Sequence, residues 1–270
     1  MKFLSDSIIA IRKTVYIALG AFDRVILNSK NTVFIISYHS ISEDSWRFSI
    51  DEKEIKKQIT WLKKHFAIIS LKTLDAYLQG NAKITKPSVV LTFDDGYKDV
   101  LRLRPFFDKL SITPALFVLS DTTHANILEM KTKRPFLTSA EIKQCKKAGW
   151  VIGSHSGTHA NLSKLSQKEL EKEIIESKKT LEKKLGFSID YFCYPRGKYN
   201  QKVVSLVKKA KYHLGLTMDD GIINAHCNAF LLPRVGIDRT HSFLEFTNTF
   251  SPSVIKFRKL IKVSMVGKYL

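Results

Sequence analysis

Cysteine is scarce in this chain. Three occur in 270 residues, Cys145, Cys193 and Cys227, and an odd number without close spacing excludes a disulfide framework and a thiolate metal cluster. A reducing compartment fits. With 12 Gly and 7 Pro, collagen-like and low-complexity classes are excluded as well. No apolar run approaches the ~20 residues of a membrane span. The stretch Val15–Leu27 is broken by Asp23-Arg24, and no small-residue cleavage site follows, so a signal peptide is not expected. Acidic residues are the other shortage. Against 44 Lys+Arg stand 25 Asp+Glu, a net charge of +19. Such a surplus points to an anionic partner (phospholipid, acidic glycan or nucleic acid) or to a lysine-rich solvated surface. Nucleic acid is disfavoured, because the charge is spread along the chain rather than interleaved with aromatics on one element.

What is present is an alternation of strand and helix patterns. Residues 1–31 read as an amphipathic helix, with Ile8, Ile11, Val15, Leu19, Phe22 and Ile26 at spacings of three and four. From Thr32 onward the predicted strands are Val33–Tyr38, Phe66–Ser70, Ser88–Phe93, Pro114–Leu119, Trp150–Gly153, Tyr191–Tyr194 and His213–Thr217. The predicted helices are Asp51–His65, Leu71–Leu78, Tyr97–Leu110 with a kink or break at Pro105, Thr138–Ala148, Ser166–Leu185 and Gln201–Ala210. Thr138 with Glu141 and Ser166 with Glu169 have the spacing of capping boxes, and Gly186 stands where a helix C-cap belongs. Repeated β–α units imply an α/β fold of about seven parallel strands, open or closed into a barrel. One catalytic domain over 32–240 is the economical division. It is followed by a basic amphipathic tail, 241–270, carrying Lys256, Arg258, Lys259, Lys262 and Lys268.

Functional groups in parallel α/β folds gather at the carboxyl ends of strands. Here those ends carry His39, Asp94-Asp95, His155 and the turn Pro195-Arg196-Gly197. Asp-Asp-Gly alone is weak, since Asp219-Asp220-Gly221 repeats it. That copy reads as a turn, whereas the first follows five strong strand formers and precedes a helix. Two adjacent carboxylates at a strand end point differently, so one can ligate a metal while its neighbour faces substrate. His155 and His159, flanked by Gly153 and Gly157, read as a strand end and its loop. Two His and one Asp give zinc three ligands with positions left open, as a catalytic site needs.

At these residues the chain resembles the polysaccharide deacetylases, the NodB-homology group also called carbohydrate esterase family 4. Thr92-Phe93-Asp94-Asp95-Gly96 is similar to the first family motif and His155-Ser156-Gly157-Thr158-His159 to the second. The likeness extends over about 32–240 and points to a subgroup related to poly-N-acetylglucosamine deacetylases. It implies a distorted, incomplete (β/α) barrel. It also implies Asp94 as general base, and Asp95, His155 and His159 as ligands of one divalent metal, Zn²⁺ or else Co²⁺ or Ni²⁺. The third motif departs from the family. In Cys193-Tyr194-Pro195-Arg196-Gly197 the family arginine falls on Cys193 and the family aromatic on Arg196. Pro195, Arg196 and Tyr97 are expected to border the substrate and its oxyanion. Arg234, in Leu231-Leu232-Pro233-Arg234, resembles a late element of one subgroup and is the candidate to orient the base in place of the missing arginine. His39, in Tyr38-His39, is the candidate acid, as implied by the same subgroup; a late histidine acid is not evident, since His241 and His226 lack the pattern.

The expected reaction is hydrolysis of the acetamide of an N-acetylated sugar, in a surface glycan or its lipid-linked precursor. The expected place is the cytoplasm, peripheral to an anionic membrane through the basic termini. Two other readings stay open on the sequence. A two-carboxylate glycoside hydrolase would need acids about 5–10 Å apart across a sugar, which adjacent Asp94 and Asp95 do not offer. A degenerate NodB-like domain would bind an anionic glycan or membrane without catalysis.

Overall fold

The structure, a computed structural model, describes residues 2–26, 32–125, 129–130 and 132–262. The strands are β1 (Val33–Tyr38), β2 (Ser40–Ile41), β3 (Ser49–Ile50), β4 (Ala67–Ile68), β5 (Ser88–Phe93), β6 (Ala115–Val118), β7 (Val151–Ser154), β8 (Tyr191–Cys193), β9 (Leu214–Leu216) and β10 (Val235–Gly236). The helices are α1 (Lys2–Ile26), α2 (Glu52–His65), α3 (Leu71–Leu78), α4 (Arg104–Leu110), α5 (Thr122–Ala125), α6 (Ser139–Lys147), α7 (Gln167–Glu171), α8 (Ser177–Leu185), α9 (Gln201–Lys209), α10 (Phe243–Asn248) and α11 (Pro252–Lys262).

The main sheet runs β10-β1-β5-β6-β7-β8-β9, with β4 beside the first half of β5, and every pairing in it is parallel. It curls into the incomplete (β/α) barrel that the motifs implied. β1 and β5 are buried along their whole length, which is why they read as continuous runs rather than alternating ones. The period of two still sorts their side chains. Phe34, Ile36, Tyr38, Val89, Leu91 and Phe93 join the core between sheet and helices. Val33, Ile35, Val90, Ala115, Phe117, Val151, Tyr191, Leu214 and Leu216 fill the interior. Continued toward the carboxyl ends, the inward series turns polar: Ser37, Thr92, Asp94 and His155, all buried. Between the two sheet edges runs the segment Leu232–Gly236. Leu232 bridges to Leu216 of β9, and Val235 pairs with Ile36 of β1. Arg234 therefore enters the barrel interior from the seam.

Local signals explain the helices. Asp51 caps α2 by accepting from the amides of Lys53 and Glu54, and Ser70 and Asn200 cap α3 and α9; each such cap contributes about 1 kcal/mol. Both expected capping boxes are present, and Ser242 with Glu245 makes a third. Gly186 ends α8 at φ 78°. Two helices differ in detail from expectation. The break expected at Pro105 in Tyr97–Leu110 falls just before it, between a 3-10 turn, Lys98–Leu103, and α4, with Pro105 in the first turn of α4 where its missing N–H costs nothing. The stretch Ser166–Leu185 holds a π turn, Lys172–Glu176, between α7 and α8.

The terminal segments pack together against the barrel. Arg12 of α1 donates to Glu245 at 2.9 Å, both buried. Asp23 accepts from the Ser253 amide and both hydroxyls of Ser251 and Ser253. Gly20 is required there, since a Cβ would fall 2.0 Å from Asn248 Oδ1. The second Asp-Asp-Gly, expected to be a plain turn, holds a buried anchor. Asp220 pairs with Arg258 at 2.5 Å and Lys262 at 2.8 Å, tying α11 to the loop after β9. Residues 27–31 and 263–270, and the side chains of Ile8, Phe22, Ile26 and Lys268, lie outside the described residues.

Candidate active site

A cavity of about 560 Å³ opens at the carboxyl ends of the strands. Asp94, Asp95, His155, His159, His39, Tyr97, Arg196 and Arg234 all line it. Pro195, beside Arg196, is buried and is not among the lining residues. The structure thus brings together the residues that the motifs singled out.

Asp94 and Asp95 directly follow β5 and diverge because the chain turns left-handed at Asp95. Asp95 has φ 70° and Gly96 φ 76°. Ser156 (72°), His159 (64°), Arg196 (56°) and Asp220 (45°) are also left-handed. For residues with a Cβ this conformation costs roughly 1 kcal/mol or more each, and it persists where the surroundings over-determine it. Asp95 Oδ1 lies 3.4 Å from His155 Nε2 and 3.5 Å from His159 Nε2. His155 Nδ1 sits 2.9 Å from the Cys193 carbonyl, so it donates there and turns the Nε2 lone pair toward Asp95. Asp95 Oδ1 is buried with no hydrogen-bond partner. Burial pushes the Asp95 carboxyl up to about 8, Asp94 adding to the rise. Burial holds His155 down to about 4 and His159 to about 2. A carboxylate that cannot ionise alone, beside two neutral imidazoles, is the donor set of a divalent cation. The three donors fit the expected metal. Asp94, His155 and Cys193 also cluster, but Arg234 occupies both Asp94 oxygens.

That occupation is a two-pronged pair. Arg234 Nη1 and Nη2 donate to Asp94 Oδ1 and Oδ2, each at 2.7 Å. Arg234 also donates to Thr92 Oγ1 at 3.0 Å and to the Thr217 carbonyl at 3.0 Å, and it is fully buried. Burial alone would raise the Asp94 carboxyl. The guanidinium and the histidines outweigh it and hold the carboxyl below its usual range. Ser37 donates to the same carboxylate at 3.2 Å. Cys193 stands 2.9 Å from Arg234 Nη2, so the small thiol leaves room for a guanidinium arriving from the seam.

Four contributors were not evident from the sequence. Glu173, from the π turn, accepts from the amides of Gly157 and Thr158 at 2.9 Å each and from the Thr158 hydroxyl at 2.7 Å. It fixes the loop between the two histidines, and a Cβ at Gly157 would press on it at 3.1 Å. Trp46 and Phe48 form an aromatic wall beside His39, with Phe48 4.9 Å from the imidazole. Their proximity to His39 in sequence was the available signal. Asp238 lines the same wall and is paired to His241 at 3.0 Å. Burial lowers the pKa of His39, while Asp94 and Asp238 pull it up.

Comparison with known proteins agrees with the fold and the motifs. The polysaccharide deacetylase family model matches residues 81–215, half of the chain. The chain belongs to that family. It is 26% identical over 214 residues to the poly-β-1,6-N-acetyl-D-glucosamine N-deacetylase of Staphylococcus aureus, covering 74% of this chain and 71% of the relative. Among solved structures it is similar in fold to the Streptococcus pyogenes deacetylase PplD in complex with acetate (TM-score 0.69, 23% identity, covering 83% of this chain and 100% of the other). It is likewise similar in fold to IcaB from Ammonifex degensii (TM-score 0.68, 20% identity, covering 82% and 97%).

Proposed function

We propose that the chain is a metal-dependent hydrolase that removes the acetyl group from an N-acetylated sugar in a surface glycan or its lipid-linked precursor. The observation that carries this reading is the unpartnered Asp95 Oδ1 between two neutral imidazole nitrogens, next to a carboxylate kept ionised by Arg234. Asp95, His155 and His159 would hold the ion, Zn²⁺ or else Co²⁺ or Ni²⁺, which supplies Lewis-acid polarisation of water and of the acetamide carbonyl when bound.

The remaining work falls to the chain. Asp94, ionised across the neutral range, accepts the proton of the attacking water. Arg234 aims it and keeps it charged. The backbone at Arg196, turned left-handed at the cavity wall, is the donor assigned to the developing oxyanion, with Tyr97 beside it. His39 as imidazolium, the form that Asp94 and Asp238 favour against burial, gives its proton to the departing nitrogen, so acetate and a free amine leave. The aromatic wall of Trp46 and Phe48 presents flat apolar surface to a sugar ring. The three free thiols support a reducing, cytoplasmic compartment.

The test is the metal content of the purified protein beside His155→Ala, together with acetate release from N-acetylglucosamine oligomers. About one ion per chain, lost in the variant along with activity, is the expected result. Wild-type protein without metal after reconstitution, yet still binding glycan, would replace this reading with a non-catalytic one.

A further inference from the structure

The helices beyond the segment matched by the family model carry a feature that deacetylation does not use. An amphipathic helix ordinarily buries its apolar stripe. α1 buries a largely polar side most deeply: Arg12, Tyr16, Gly20 and Asp23, and each of the three longer side chains is tied to the end of the chain, to Glu245, Arg258, Ser251 and Ser253. Of its apolar stripe with described side chains, Ile11 is 63% exposed, and Val15 and Leu19 are partly buried.

α11 buries an apolar side but also leaves one large apolar residue in solvent. Val254 and Ile255 pack inward, and Phe257 and Ile261 line the catalytic cavity. Leu260 lies one turn from Phe257, its neighbour on the helix surface, and is 70% exposed. An apolar strip thus leads from the cavity to solvent. Leu244 of α10, the neighbour of Glu245, is 44% exposed. Three of the four exposed large hydrophobic side chains among the described residues therefore sit on these three helices, of which α1 packs on both α10 and α11. The exposed charges beside them, Lys13, Lys256 and Lys259, are all basic. The acids of these helices whose side chains are described, Asp23 and Glu245, are buried and bonded.

We propose that α1, α10 and α11 form a docking face for an anionic phospholipid bilayer, setting the mouth of the catalytic cavity at the headgroups. Apolar side chains framed by lysines are what a bilayer interface of negative charge takes up. A second copy of the chain is a poorer occupant, because each copy brings a charge of +19. The face goes beyond the deacetylase reading and stands on separate residues.

The test is flotation of the full chain with vesicles of phosphatidylglycerol and phosphatidylcholine, beside vesicles of phosphatidylcholine alone. The double variant Ile11→Glu/Leu260→Glu changes two solvent-facing positions and leaves the cavity lining intact. Wild-type protein is expected to float with the anionic vesicles only, and the variant to bind them about tenfold or more weakly. Both proteins are expected to melt alike and to release acetate from a soluble oligomer alike. Absence of flotation, flotation unchanged in the variant, or a concentration-dependent dimer that the variant breaks would each overturn the proposal. Flotation as expected without acetate release from either protein would sustain the docking face and remove the deacetylase reading instead.

Discussion

Arg234 reaches Asp94 across 140 residues of sequence and closes on both of its oxygens at 2.7 Å. The pair is fully buried, so neither charge is compensated by water. Removing the cation leaves a buried carboxylate alone, which costs about 3–5 kcal/mol. Arg234→Met is expected to lower stability by that order and kcat/KM by on the order of 10²-fold. The decisive readout is the acid limb of the pH profile. Without Arg234, burial dominates and Asp94 titrates higher, so the limb moves toward neutral pH. Arg234→Lys, which keeps the charge and loses the fork, should shift it less. A limb that stays in place in both variants would mean that Arg234 only holds the barrel seam together.

Glu173 positions the metal loop without touching the reacting atoms. It satisfies two amides and a hydroxyl of the segment between His155 and His159. Glu173→Gln replaces one acceptor oxygen by a donor that faces amide donors. Metal affinity is expected to fall about 10–100-fold, read by competition with a chelating dye. The metal-saturated variant should recover most of its kcat, which a mere unfolding defect would not allow.

The metal-free protein has a pH dependence of defined sign. The Asp95 carboxyl, raised to about 8 from 3.8, makes the folded state bind a proton that the unfolded chain has released, so its contribution falls as pH rises toward 8. His155 and His159 are lowered from 6.5 to about 4 and about 2, so they cost stability as pH falls below 6.5. Between pH 6.5 and 8 the Asp95 effect is unopposed by them, with a slope of about 1.4 kcal/mol per pH unit. Melting in a chelator should therefore be highest near the acid end of that window and decline above it. Adding Zn²⁺ should raise the melting temperature most at the alkaline end, where the ion replaces the proton on Asp95.

How far these features could be read from the sequence depended on whether their cause was local. Asp94-Asp95 and the two histidines stand within a few residues of a strand end, and β1 and β5 betray themselves by continuous Val, Ile and Phe. Capping boxes at Thr138 and Ser166 are three-residue signals and were legible for the same reason. β10 has two residues and is a strand only because Ile36 lies beside it. Glu173 looks like any helix carboxylate until the π turn aims it. The amphipathic pattern of α1 did not tell what it would meet: what faces α1 is Glu245, Arg258 and the Ser251–Ser253 turn. Arg234 was reached through the family resemblance; nothing in its neighbours says which carboxylate it would meet.

Asp220 gives the final prediction. It is buried, sits at φ 45°, and binds Arg258 and Lys262, while Arg258 also reaches Tyr16 at 2.9 Å and the Gly236 carbonyl at 3.2 Å. One carboxylate thus holds α11, and through Tyr16 it holds α1, across the barrel seam. Asp220→Ala takes the carboxylate from a largely buried guanidinium that keeps Tyr16 and the Gly236 carbonyl, a loss of about 2–3 kcal/mol, below the full cost of a stranded buried charge. Both helices border the cavity but neither carries the metal donors. The expected result is therefore local: faster amide exchange and proteolysis in α1 and α11, metal content unchanged, and a rise in KM larger than the fall in kcat, because Tyr16, Phe257 and Ile261 wall the cavity. Exchange that quickens equally in β1 and β5 would show instead that the terminal helices are integral to the barrel's global stability.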